Sequence, residues 1–251
     1  ESIVPRYRSV VLRDGGSKPP LFCLPGALGN VFTDFGHLAR HLGSDQPVYG
    51  LQDGVQNPSK VEALAAQYIN EIRGVQPEGP YFLVGVCSGG TVAFEMAQQL
   101  LIQKQHIALL ALVEPAPPNV TYWGMASFIL DRVLNRFGQY SNHLSRLSSA
   151  EKKAYIRLRV KLITNMWALR RYVPQSYLGH IHIFLTSESL KFPRLGWRKL
   201  ALGGAEVREI PGTHNTITGF NATRIVEAHM QALAEQLKVC IENALREKYT
   251  S

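Results

Sequence analysis

The sequence predicts an α/β protein: a mostly parallel central sheet flanked by helices, with one helical insertion. Three observations predict it. Apolar strand-like runs alternate with helix-period runs along most of the chain. Several of those runs are continuously apolar rather than alternating, as expected of parallel strands covered on both faces. From about residue 119 to 171 the rhythm stops, and only helical patterns remain.

Taken in order, "SVVLR", "PLFCLPG", "PVYGLQ", "YFLVGVC", "ALLALVEP", "HIHIFLTSE" and "EVREIPG" read as strands. Helical patterns fall at 33–42, 60–74, 90–103 and 221–245. The second places Val61, Leu64, Ala65, Tyr68, Ile69 and Ile72 on one stripe. Strands alternating with helices in this way imply right-handed crossovers. Two more helical stretches, near 122–137 and 149–171, lie between consecutive strands. An insertion at that point covers the carboxyl edge of a parallel sheet, where ligands bind, and reads as a lid. The expected organisation is linker and first strand over 1–19, core over 20–118 and 172–251, and lid over 119–171.

The bulk numbers agree. A chain of 251 residues with 45% hydrophobic and 18% charged residues reads as soluble and globular. Its longest strictly apolar run, "IALLALV", is too short to cross a bilayer. The first residue is Glu, which suggests a piece excised from a longer chain. Three widely spaced cysteines argue against a disulfide framework and fit a reducing, cytoplasmic setting. They also lack the paired spacing of a zinc site.

The net charge of +8 is concentrated. Between Thr121 and Arg171 stand ten Lys and Arg residues, opposed only by Asp131 and Glu151. A solvated helical face and a docking surface for an acidic partner both account for this. No nucleic-acid-binding motif accompanies the charge.

The chemistry concentrates in "YFLVGVCSGGTVAFEMAQQL". A strand runs into Gly85-Val86-Cys87-Ser88-Gly89, and a helix follows at once. This is the G-x-S-x-G nucleophile elbow of the α/β-hydrolase fold, with cysteine where serine is usual. Small neighbours let the strained turn close. The N-terminal end of the following helix favours a thiolate. The expected base is His214, in the loop "REIPGTHNTI" after the last strand. The other seven histidines lie in helices, at their ends, or, for His180 and His182, on one face of a strand. Two carboxylates end strands and could orient the base: Glu114 after "LLALV", and Glu188 after "IFLTS". One oxyanion donor is expected at the N–H of Ser88, the other in the loop after "LFCLPG". Cys23 reads as core, and Cys240 as a helix residue without chemistry.

The blocks "PLFCLPGALGN", "YFLVGVCSGGTVAFEMAQQL", "ALLALVEPAPP", "YLGHIHIFLTSE" and "EVREIPGTHNTI" together resemble the type I thioesterase domains of nonribosomal peptide and polyketide synthases. The resemblance covers nearly the whole chain from Ser9, except the lid. It implies an α/β-hydrolase fold and an acid at the position of Glu114, where the family usually carries Asp. It implies Ala27 as the second oxyanion donor. It also implies an acyl chain delivered as a thioester on the phosphopantetheine of an upstream carrier domain, with no cofactor bound by the domain itself. Carrier domains tend to be acidic, so Lys152, Lys153 and Arg157 are a candidate landing site. Tyr122, Trp123, Phe128, Phe137, Tyr155 and Trp167 would line the acyl chamber or form the lid core. A thiol nucleophile keeps the acyl group as a thioester, which favours amine attack over water; cyclisation, aminolysis and hydrolysis all remain open. The alternatives are a stand-alone Cys-His-acid hydrolase of small esters or lactones, using Glu188 in a dienelactone-hydrolase-like arrangement, an editing type II thioesterase, and an inactive hydrolase fold serving as a receptor.

Overall fold

A computed structural model describes residues 9–26, 30–52, 60–118, 148–191, 193–218 and 225–247. Seven strands form one sheet: β1 (Val10–Arg13), β2 (Leu21–Leu24), β3 (Val48–Gly50), β4 (Tyr81–Val86), β5 (Ile107–Val113), β6 (Ile181–Thr186) and β7 (Ala205–Ile210). Their order is β1-β3-β2-β4-β5-β6-β7. Only β1 runs antiparallel, against β3; the remaining pairs are parallel. Each of the seven strand-like runs overlaps one of these strands, and β5 and β7 begin one residue before theirs.

β2 and β4 are buried at every position, which is why their runs are continuously apolar. One face of the sheet packs on α2 (Val61–Val75), α3 (Ser88–Ile102) and the C-terminal part of α4 (Ser149–Arg171). The other packs on α1 (Val31–His41) and α6 (Glu227–Glu247). In α2 the residues Val61, Ala65, Tyr68, Ile69 and Ile72 are buried along the anticipated stripe. α1 starts two residues earlier than its apolar pattern, because Asn30 caps it by accepting the Thr33 N–H at 3.2 Å.

α4 belongs to the inserted interval, and its described bounds coincide with the expected 149–171. Its C-terminal end is tied to α3. The Tyr172 hydroxyl donates to Glu95 Oε2 at 2.7 Å, and Gln98 Nε2 donates to the Gln175 carbonyl at 2.8 Å. Ile156, Val160, Ile163 and Trp167 are exposed along α4. The helix expected near 122–137 lies outside the described residues, as do Tyr122, Trp123, Phe128, Phe137 and the side chains of Tyr155 and Arg157.

Among the described residues, no helix is long and apolar enough to cross a membrane.

Candidate active site

The carboxyl ends of the parallel strands carry the site. β4 stops at Val86, α3 starts at Ser88, and Cys87 makes the whole turn with φ 54° and ψ −120°. A non-glycine residue there is strained, at about 1–3 kcal/mol. The surroundings hold it. The Cys87 N–H donates to the Val113 carbonyl at 3.0 Å, and the Cys87 carbonyl accepts the N–H groups of Gly90 and Ala116 at 3.1 Å each. A Cβ on Gly85 would lie 2.3 Å from the Gly89 carbonyl oxygen, and one on Gly89 would lie 2.3 Å from that of Leu24. Both flanking glycines are therefore required by backbone contact. Ser88 is buried as the first residue of α3, so its N–H is among those the helix cannot satisfy internally.

Glu114 follows β5 directly. It is fully buried and has φ 47°, a second strained non-glycine backbone on the same rim. Its N–H donates to the Phe184 carbonyl of β6 at 2.8 Å. The side chain reaches across the end of β6: Oε1 accepts the Thr186 N–H at 2.7 Å, and Oε2 accepts the Ser189 hydroxyl at 2.6 Å. Oε2 also lies 3.1 Å from His214 Nδ1. Glu188, the other candidate acid, is exposed past the end of β6.

His214 does not sit in an open loop. It opens a short helix, α5 (His214–Thr218). The neighbouring threonines explain the difference. The Thr213 N–H donates to Thr216 Oγ1 at 2.8 Å, and the Thr216 N–H donates to Thr213 Oγ1 at 3.3 Å. This reciprocal pair caps the helix as Ser/Thr-x-x-Glu does elsewhere, and it fixes the backbone that carries the imidazole.

One carboxylate of the site was not legible in the sequence. Asp34 stands in the first turn of α1, where an acid normally serves the helix dipole. Here it is only 8% exposed, and Oδ2 accepts the Gly26 N–H at 2.6 Å. Gly26 in turn lies under the elbow: a Cβ on it would be 3.5 Å from Cys87 Cβ. Burial pushes the Asp34 carboxyl up to about 6, while the Gly26 N–H and the charge of His214 pull it back. Asp34 thus links the loop after β2, the elbow and the histidine. Ala27, the expected second oxyanion donor, lies outside the described residues.

A cleft opens beside the elbow. Pro25, Gly26 and Ser88 line one side, and Tyr68, Asn165 and Leu169 another. α4 therefore contributes a wall beside the first turn of α3. Behind the rim, Trp197 is fully buried and donates through Nε1 to the Ala116 carbonyl at 2.8 Å, bracing the turn after Glu114.

The remaining cysteines lie elsewhere. Cys23 is fully buried inside β2, and burial pushes its thiol far up. Cys240 in α6 lies 3.6 Å from His182 Nδ1, and burial pushes its thiol up to about 11. The rings of His180 and His182 lie 4.7 Å apart. Among the described residues no group of three or more His, Cys, Asp or Glu could hold a metal ion.

A parallel sheet covered by helices on both faces, with a thiol on a strained strand-to-helix turn at its carboxyl edge, places the molecule among the α/β-hydrolases. Comparison with known proteins narrows the class: the chain belongs to the thioesterase domain family, whose model matches residues 19–233. Malpibaldin synthetase of Mortierella alpina is 33% identical over 218 residues, covering 81% of this chain but 4% of the synthetase. A dimodular nonribosomal peptide synthase of Bacillus subtilis (strain 168) is 41% identical over 111 residues, covering 42% of this chain and 5% of its own length. Among solved structures, the NocB thioesterase domain matches with a TM-score of 0.71 at 22% identity, over 95% of this chain and 98% of that one. The chain thus spans only a few per cent of these synthetases, which carry much else besides.

Proposed function

We propose that this is the terminal thioesterase domain of a multimodular peptide or polyketide synthase, with Cys87 as nucleophile, His214 as base and Glu114 as the group that orients the base. The acyl chain arrives as a thioester on the phosphopantetheine of an upstream carrier domain. The Cys87 thiolate attacks its carbonyl carbon. The tetrahedral oxyanion is met by the Ser88 N–H and a donor from the loop at Ala27, at about 3 kcal/mol each. The C–S bond to pantetheine breaks, and the departing thiolate takes its proton from His214. The acyl group is now a thioester on Cys87. A second nucleophile then attacks, gives its proton to His214, and expels the Cys87 thiolate.

The single observation that carries this reading is the 3.1 Å approach of Glu114 Oε2 to His214 Nδ1, on the rim that also carries the strained Cys87. With Nδ1 engaged by a carboxylate, Nε2 is the nitrogen suited to exchange protons with a thiol. The thiol favours products released by amines, because thioester-to-thioester exchange keeps the acyl group activated. Cyclisation to a lactam or aminolysis is therefore the proposed outcome, ahead of hydrolysis. Exposed Lys152 and Lys153 on α4, with Arg157 on the same helix, form the proposed landing site for an acidic carrier domain.

The test is intact mass spectrometry after mixing the protein with an acyl pantetheine thioester. Mass equal to one acyl group should appear and map to Cys87. Product analysis with and without an added amine then reads the second step. No adduct at Cys87 would refute the acyl-enzyme; free acid alone, at an unchanged rate in Cys87→Ser, would refute the argument from the thiol.

A further inference from the structure

The carboxylate of Glu114 is held by more than the histidine. Three groups converge on it from β6 and beyond: the Thr186 N–H on Oε1 at 2.7 Å, and the Ser189 hydroxyl and His214 Nδ1 on Oε2 at 2.6 and 3.1 Å. Ser189 lies at the start of a 3-10 turn (Ser189–Lys191) and is 3% exposed; Thr186 and Glu114 are fully buried. A buried carboxylate in such a place holds its rotamer only while its donors are present. Water has little access to replace a missing hydroxyl there.

We infer that Ser189 is a positioning residue for the proposed reaction, and that with the Thr186 N–H it forms a socket cut to the length of glutamate. The inference rests on the triad reading above. The hydroxyl and the backbone N–H each pin one carboxylate oxygen, so Oε2 stays aimed at His214 Nδ1. Oε2 accepts from both Ser189 and His214, so turning toward one cannot sacrifice the other while both donors stand. The donors are placed by β6, which is fixed in register against β5 by the pairs Ala111–His182, Leu112–Ile183 and Val113–Phe184. An aspartate at 114 would withdraw the carboxylate by one methylene from donors that cannot follow it. The longer acid and the serine are therefore one unit, although acid replacements between Glu and Asp are usually regarded as conservative.

The experiment is a double-mutant cycle on the intact domain, read as the rate of acyl transfer from a pantetheine thioester to Cys87, with melting temperature measured in parallel. Ser189→Ala should lower the maximal rate about tenfold and leave the apparent KM within twofold. Ser189→Cys, of similar size but a weak donor, should fall with it. In a Glu114→Ala background, which leaves the hydroxyl no acceptor at 114, Ser189→Ala should cost less than twofold further, because the hydroxyl acts only through the carboxylate. Glu114→Asp should lose at least tenfold. Equal losses from Ser189→Ala in both backgrounds, tracking the melting temperature, would reduce Ser189 to a structural residue and overturn the inference. So would a Glu114→Asp protein as fast as the parent. A parent protein that takes no acyl group at all would refute the triad reading together with the socket. A parent that acylates alongside an equally fast Ser189→Ala would refute the socket alone.

Discussion

Among the described residues two groupings of cysteine, histidine and glutamate stand out, and they differ in how the histidine is engaged. On the carboxyl rim, Glu114 meets Nδ1 of His214 at 3.1 Å, and Cys87 occupies a strained turn at the N-terminus of α3. Beside β6 and α6, Cys240 and Glu206 both approach the same nitrogen, Nδ1 of His182, at 3.6 and 3.0 Å. A relay needs one ring nitrogen for the acid and the other for the nucleophile, so the second grouping cannot pass a proton through the ring. Cys240 lies mid-helix with its thiol pushed up to about 11 by burial, and burial, followed by the charge of His180, lowers the basicity of His182. Residue types in proximity are thus insufficient. The distinction lies in which nitrogen is engaged and in the strained strand-to-helix turn that carries Cys87.

The comparison breaks most decisively at the two sulfurs. Cys87→Ala should abolish the acyl-enzyme and lower turnover by about 10⁴-fold or more, whereas Cys240→Ala should leave turnover within about twofold and cost on the order of 1 kcal/mol in stability. Steady-state rates and thermal melts check both; an active Cys87→Ala protein ends the distinction. The acids come next. Glu114→Ala should lower turnover by about 10³-fold, while Glu206→Ala and Glu188→Ala should each stay within about twofold. Turnover lost in Glu188→Ala instead would transfer the acid's role to the later strand.

The strained turn supplies a third contrast, in stability. Gly89→Ala would drive a Cβ to 2.3 Å from the Leu24 carbonyl oxygen and 2.4 Å from that of Pro25. It should destabilise by about 3 kcal/mol or more. At Gly74, near the end of α2, a Cβ would meet nothing within 4 Å, and Gly74→Ala should gain about 0.5–1 kcal/mol. Chemical denaturation measures both, and equal effects would mean the elbow is not sterically closed.

The last contrast concerns pH. The Asp34 carboxyl is raised in the folded chain from 3.8 to about 6. The folded state therefore keeps this proton longer than the unfolded one. The stability this group affects is highest below about pH 4, falls as pH rises to about 6, and is level above. Asp34→Asn should then match the parent near pH 4 and exceed its stability by at most about 3 kcal/mol near pH 7. A melting-temperature difference that stays constant across that range would contradict a buried carboxylate under tension beside the elbow.

What could be read from the sequence follows its local physics. Strands buried on both faces, such as β2 and β4, announce themselves by unbroken apolar runs; the partly exposed β1 and β7 were legible from their place in the alternation of strand and helix. The elbow was legible because glycine, cysteine and glycine stand between a strong strand and a strong helix. The bounds of α4 were legible from its helical pattern alone. Other parts depend on contacts across the chain. Asp34 looks like an ordinary first-turn acid until the loop at Gly26 folds over it. Thr186 looks like an ordinary strand residue and Ser189 like a turn residue until Glu114 reaches them from a neighbouring strand. The helical setting of His214 depends on two threonine hydroxyls, a signal present in "GTHNT" but too short to separate from a loop.

The parallel register of β4 and β5 pairs Val86 with Val113, so Cys87 and Glu114 are the next residues in line on adjacent strands. That alignment constrains how the gene can change length. One codon inserted within β5 would turn the carboxylate toward the opposite side of the sheet, and a deletion would draw it back below the rim. The four-residue link between α3 and β5, Gln103–His106, is bonded at both ends: the Gln105 N–H donates to the Leu100 carbonyl and the His106 carbonyl accepts the Tyr81 N–H, each at 2.9 Å. The span from Ile107 to Glu114 should therefore keep a constant number of codons.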